Sequence, residues 1–374
     1  MDLFTSATKI EERIVSSATE KRIPLGGAFE LLPLCNLDCR MCFLRLSLDE
    51  MKKQGHLRTA DEWLALAKDA RDAGLLFLLL TGGEPFLFPE LKKLYNGLCK
   101  LGLILTINTN GTLITEEIAD IFAAHRPRRV NITLYGSSDQ IYEKLCRNPH
   151  GFTQAMNGIR LLKERKIDVK LNGSLTKYNK DDLPNLQSIS RELDIPLEVD
   201  SYMFPSCRKG CMSFDYNSRL TPEEAAQCYV DIKKEELSSE EFHSLCDHMA
   251  YVYNNYVALE QPSLSSPVEP LSCRAGLSSF WINWKGSMTP CVFMEQPGIP
   301  VFEEGFDKSW EYVKNERDKI LLPSKCTTCG KRSCCTVCGA SVLTETGGYA
   351  NPPEYLCKFT DEKMRLMVEL HHLR

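Results

Sequence analysis

Between residues 26 and 205 the chain alternates continuous apolar runs with segments of helical periodicity. Phe29 to Leu34 reads as a short strand, and Leu75 to Leu80 is wholly apolar. Such runs suit strands covered on both faces of a parallel sheet. Leu103 to Asn108, Arg129 to Leu134, Val169 to Ser174 and Leu197 to Met203 are the further predicted strands. Helices are predicted between them. Thr59-Ala60-Asp61-Glu62 is a capping box, Trp63, Leu64, Leu66 and Ala67 follow at amphipathic spacing, and Gly74 ends the helix. Other helices are predicted over 89–101, 116–124, 152–166 and 181–193. Six strand–helix units predict an α/β fold, a partial (β/α)6 TIM-like barrel with its helices outside. A full barrel has eight units, with active groups at the C-terminal ends of its strands.

The flanking segments follow other patterns. Residues 1–25 are polar and read as a cap helix or loose arm ahead of the barrel at 26–205. Residues 206–272 form a helical connector: Thr221-Pro222-Glu223-Glu224 is a second capping box, helices are predicted over 222–236 and 239–258, and the Pro/Ser-rich stretch 261–271 marks a linker. In the last unit, 273–374, Trp281 to Cys291 reads as a β-hairpin turning at Lys285-Gly286, with short helices after it.

Composition excludes several classes. Over 374 residues, 43% hydrophobic and 25% charged content is ordinary for a soluble globular protein. A net charge of −5 gives no reason to expect nucleic acid or an anionic membrane as partner. No apolar run is long enough for a membrane span, and the first 22 residues lack the apolar core of a signal peptide. Seventeen cysteines in a leaderless chain point to metal rather than disulfides, hence to a cytoplasmic location.

Cys35, Cys39 and Cys42 stand at C-x3-C-x2-C spacing, with the aromatic Phe43 next. Thiolates are the usual ligands of iron–sulfur clusters, and three of them hold three irons of a four-iron cube, leaving the fourth open. Structural or zinc-binding thiols are the alternative. Some forty residues on, a predicted strand ends in Thr81-Gly82-Gly83-Glu84-Pro85.

The two motifs in this order resemble the radical S-adenosylmethionine (SAM) enzymes, over roughly residues 25–205. The resemblance implies SAM and a [4Fe–4S] cluster on Cys35, Cys39 and Cys42. In that family SAM chelates the open iron, and one electron from the reduced cluster cleaves it to methionine and a 5′-deoxyadenosyl radical that abstracts a hydrogen atom from the substrate. It also implies that Thr81, Gly82, Gly83 and Glu84 meet the SAM ammonium. Asn108 and Thr133 would meet its methionine or ribose parts. Arg147 would pair with its carboxylate or stay solvated, and Asn172 and Met203 would face adenine or simply pack. His243, His248, His371 and His372 read as surface or helix residues, and Cys99 and Cys146 as buried thiols. Cys207 and Cys211, at C-x3-C spacing near the barrel mouth, read as a substrate or redox pair or as plain thiols.

A second cysteine system comprises Cys273, Cys291, Cys326, Cys329, Cys334, Cys335, Cys338 and Cys357. It resembles a SPASM domain, the extension that carries two auxiliary [4Fe–4S] clusters. By that resemblance Cys273, Cys291, Cys338 and Cys357 hold the first, and Cys326, Cys329 and Cys334 or Cys335 supply the second. A zinc ribbon on Cys326, Cys329, Cys335 and Cys338 is the alternative. Relatives of this plan mostly modify peptides. The implied function is a maturase of the sactipeptide or ranthipeptide type, forming a thioether or C–C crosslink in a precursor peptide. A flavodoxin or ferredoxin would be the reductant. Residues 1–25 leave no room for a fused leader-recognition domain, so leader binding would fall to the barrel mouth, the connector or a separate protein. An anaerobic sulfatase-maturing enzyme is the alternative; Val292 and Phe293 after Cys291, where those relatives carry an acidic residue, count against it. Another SPASM oxidoreductase acting on a non-peptide substrate is a further alternative. A protein that only transfers electrons would have no use for Gly82-Gly83-Glu84-Pro85.

Overall fold

A computed structural model of the chain describes residues 9–206, 215–259, 271 and 273–372. Strands β1 (Gly26–Glu30), β2 (Phe77–Thr81), β3 (Ile104–Thr109), β4 (Arg129–Thr133), β5 (Val169–Ser174) and β6 (Leu197–Asp200) run parallel. The cysteine-rich segment does not build a sheet of its own. Its strand β7 (Ser279–Ile282) pairs in parallel with β1, and β8 (Ser287–Thr289) and β9 (Ile299–Pro300) add antiparallel strands beyond it. The result is one nine-stranded sheet in the order β6-β5-β4-β3-β2-β1-β7-β8-β9.

Helices α1 (Lys9–Glu20), α2 (Leu48–Gln54), α3 (Ala60–Asp72), α4 (Leu91–Lys100), α5 (Glu116–Ala124), α6 (Asp139–Cys146), α7 (Gly151–Glu164) and α8 (Leu183–Leu193) accompany the barrel strands. Both predicted capping boxes form, at the starts of α3 and of α9 (Pro222–Glu236). Helix α3 turns Ala60, Trp63, Leu66, Ala67 and Ala70 inward, the spacing of one helical face. The rest of the chain adds α10 (Ser239–Leu259), α11 (Val301–Glu304), α12 (Phe306–Arg317), α13 (Ser324–Thr327), α14 (Gly339–Thr346) and α15 (Glu354–His372). Helix α15 is 19 residues long, where only short helices were expected. Its buried stripe of Leu356, Phe359, Lys363, Met364 and Met367 is interrupted by a lysine, which breaks the apolar pattern that sequence reading relies on.

The two faces of the sheet differ. Phe29, Leu78, Leu80, Leu105, Ile107, Val130, Ile132 and Leu171 join the main core with the helices. On the other face, strand register puts Asn108 opposite Asn131, Asn131 opposite Lys170, Thr133 opposite Asn172 and Asn172 opposite Glu198. Because side chains alternate along a strand, these polar residues share one surface inside the barrel.

Candidate active site

The loop that carries Cys35, Cys39 and Cys42 follows β1 and is anchored to the end of α6. The last carbonyls of a helix have no partners within it. Here they accept from the loop: Asp38 N–H donates to Cys146 O at 3.0 Å, Arg40 N–H to Leu145 O at 2.9 Å, and Arg40 Nε to Lys144 O at 2.8 Å. Asp38, between the first two cysteines, is held by Arg45 at 3.1 Å and by Arg147. Arg147, expected at the SAM carboxylate or in solvent, is half exposed and pairs with Asp38.

Three N–H donors point at loop sulfurs. Leu37 N–H lies 3.4 Å from Cys35 Sγ, Arg45 N–H 3.2 Å from Cys42 Sγ, and Asn110 Nδ2 3.7 Å from Cys35 Sγ. Burial pushes the Cys42 thiol up to about 11 and the Cys35 thiol higher still. As free thiols they stay protonated; N–H donors aimed at sulfur suit the thiolates that metal coordination creates. Among the described residues no three His, Cys, Asp or Glu side chains close on one point as the ligands of a single ion would.

The backbone at Gly82-Gly83-Glu84 is the part expected to meet the SAM ammonium; the Glu84 side chain faces the protein. It is fully buried and accepts from Thr109 Oγ1 at 2.8 Å, Asn110 N–H at 2.9 Å and Phe86 N–H at 3.2 Å. Burial pushes the carboxyl up to about 7 against the pull of those bonds. The glycines before it serve a close approach of chain to chain. A Cβ on Gly83 would stand 2.2 Å from Leu34 O, and one on Gly82, where φ is +154°, 2.7 Å from Leu32 O. Gly83 N–H donates to Leu32 O at 2.7 Å and Glu84 N–H to Leu34 O at 2.9 Å. The Gly-Gly-Glu turn thus ties the ends of β2 and β3 to the base of the cysteine loop.

Asn108 Oδ1 accepts from Asn131 Nδ2 at 2.8 Å, while Asn131 Oδ1 is buried with no hydrogen-bond partner among the described residues. A buried acceptor left open on the polar barrel face suits a bound polar molecule such as SAM. Thr133 and Asn172 are neighbours on the same face. Thr81 is buried at the end of β2, and Met203 packs against the main core. Phe43 packs against Phe293 at 5.4 Å, and Phe293 stacks on Phe204 at 3.9 Å, joining the cysteine loop to the C-terminal lobe. Sequence reading missed Glu30, a fully buried carboxylate at the end of β1 that accepts from Trp281 Nε1 at 3.0 Å. It also missed Asn110 and Asp38; their signal was a polar side chain lodged inside a motif already recognised.

The second cysteine system separates into two groups. Cys326 lies within electrostatic reach of Cys357, Cys335 and Cys329, and Cys291 within reach of Cys273 and Cys338. Cys357, expected with Cys273, Cys291 and Cys338, stands in the first turn of α15 and lies within electrostatic reach of Cys335 and Cys329. Cys334 and Cys335 diverge: Cys335 packs with Cys326, whereas Cys334 is buried with Cys246, Met249, Met364 and Met367. Cys207 and Cys211 lie outside the described residues.

Residues 29–187 match the Radical SAM superfamily. AdoMet-dependent heme synthase of Methanosarcina barkeri is 23% identical over 340 residues, covering 88% of this chain and 95% of that protein. The antilisterial bacteriocin subtilosin biosynthesis protein AlbA of Bacillus subtilis is 27% identical over 182 residues, 48% of this chain and 39% of that one. Among solved structures, Streptococcus suis SuiB bound to precursor peptide SuiA superposes with a TM-score of 0.66 at 19% identity, over 93% of this chain and 80% of that chain.

Proposed function

We propose, from the match of residues 29–187 to the Radical SAM superfamily, that this chain is a radical SAM enzyme and that it oxidatively crosslinks a precursor peptide. The carrying observation is the pair of thiol groups in the C-terminal lobe, joined to the cysteine loop through Phe43, Phe293 and Phe204. Cys35, Cys39 and Cys42 would hold the SAM cluster. Cys326, Cys329, Cys335 and Cys357 would hold one auxiliary cluster, and Cys273, Cys291 and Cys338 would supply three thiolates of another. When bound, SAM and a reduced four-iron cluster supply hydrogen-atom abstraction. Asp38, Arg45, Arg147 and Asn110 hold the cysteine loop, while Asn108, Asn131, Thr133 and Asn172 offer polar contacts to SAM on the barrel face. A peptide substrate is supported by the likeness in fold to SuiB, which is described with its precursor peptide.

A second reading, a heme-forming enzyme, is favoured by the span of the likeness to heme synthase, 88% of this chain. Anaerobic reconstitution tests the common ground. About twelve irons per chain, falling to about eight in a Cys35→Ala, Cys39→Ala, Cys42→Ala variant, is the expected result at four irons per cube. Formation of 5′-deoxyadenosine in the presence of cysteine-rich precursor peptides, set against a heme precursor, separates the substrates. Turnover with the heme precursor alone would sink the peptide reading.

A further inference from the structure

Lys363 is a lysine in the wrong kind of place. It sits in the middle of α15 with only 1% of its surface exposed. Lysines are almost never buried this fully unless paired, because removing an ammonium from water costs several kcal/mol or more. Among the described residues Lys363 makes no ion pair. Nearby carboxylates are engaged elsewhere, Asp361 with Lys331 at 2.6 Å and Glu362 with Arg365 at 2.9 Å. Its Nζ donates to Cys334 O at 3.1 Å and lies 4.6 Å from the ring centres of both Tyr229 and Phe359. One neutral carbonyl and two ring faces do not balance a buried charge. Lys233 reaches it as a like charge, which adds to the deficit. The carbonyl it holds belongs to the peptide that leads into Cys335, and the thiols of Cys335 and Cys334 are both within electrostatic reach.

We propose that the counter-charge of Lys363 is the metal-bound thiolate group of Cys326, Cys329, Cys335 and Cys357, and that its ammonium sets the reduction potential of the cluster held there. This rests on the cluster assignment above. A fixed positive charge beside a cluster favours the reduced, more negative state, so it raises the potential. Lys363 is accordingly a positioning residue for electron acceptance and touches no substrate.

The test is a redox titration of the reconstituted full-length enzyme followed by electron paramagnetic resonance, with Lys363→Met and Lys363→Arg beside the wild type. In Lys363→Met one auxiliary signal should need a more negative poise. At the wild-type midpoint its reduced-to-oxidised ratio should fall at least tenfold, equivalent to 59 mV for a one-electron couple. The SAM-cluster signal should not move, and Lys363→Arg should stay near wild type. Loss of about four irons in Lys363→Met, restored in Lys363→Arg, would support the same conclusion more strongly. Unmoved potentials at full iron content would overturn it, as would equal shifts in every cluster or equal iron loss in both variants. A wild-type protein with only about four irons would fail the cluster assignment itself, and the role of Lys363 with it.

Discussion

Glu84 shows how a motif residue can serve the site without pointing into it. Its three donors converge from the end of β3 and from its own turn. Replacement by Ala leaves the Thr109 hydroxyl and the Asn110 amide buried and unpaired. That should destabilise the fold by about 2–5 kcal/mol, read from anaerobic urea unfolding. The carboxyl also has a pH signature. Its native value is raised from 4.5 to about 7, so between those values the folded chain binds more protons than the unfolded one. Stability of the metal-free protein should therefore fall as pH climbs through that window, by about 3 kcal/mol in the limit, and Glu84→Gln should flatten the decline. Arg147 makes the complementary case. It is half exposed and paired with Asp38, so Arg147→Ala should cost no more than about 1 kcal/mol. SAM affinity by equilibrium dialysis should change less than twofold; a tenfold loss would return Arg147 to the SAM carboxylate.

At the scale of elements, the sequence is most legible where local signals and tertiary packing agree. Helix α5 and strand β5 fall on their predicted bounds, and the boxes at Thr59 and Thr221 cap helices as expected. Helix α6 escaped notice because its start, Ser138, lacks a box partner at the third position, and its end is completed by a loop a hundred residues earlier. Contacts of that range leave no local trace. For the same reason the three loop cysteines could be read from spacing, whereas the partners of Cys357 and the choice between Cys334 and Cys335 depended on how α15 packs. Gly83 offers a test of the junction between β2 and the loop. In Gly83→Ala the new methyl would meet Leu34 O, a backbone atom with little freedom to yield. Iron content should fall by about four per chain while the C-terminal clusters persist.

At the scale of the molecule, the cysteine-rich segment is part of the barrel's own sheet. Register from Gly26 to Ser279 through Phe29 to Ile282 covers the β1 edge, and Glu30 bonds across the junction to Trp281. A chain ending at residue 272 would bare that edge, and exposed edges template aggregation. Such a truncation should be recovered in the insoluble fraction; a soluble, monomeric product that still takes up about four irons would show the two parts to be separable. The pairing of β1 with β7 also bears on how a ribosome delivers this protein. Some 250 residues separate the partners, and at about 5–20 residues per second the first strand waits roughly 12–50 seconds for its neighbour to emerge. Through that interval the cysteine loop is already out of the tunnel beside a strand edge that β7 has yet to cover, which is when an exposed edge is open to pairing with the wrong partner.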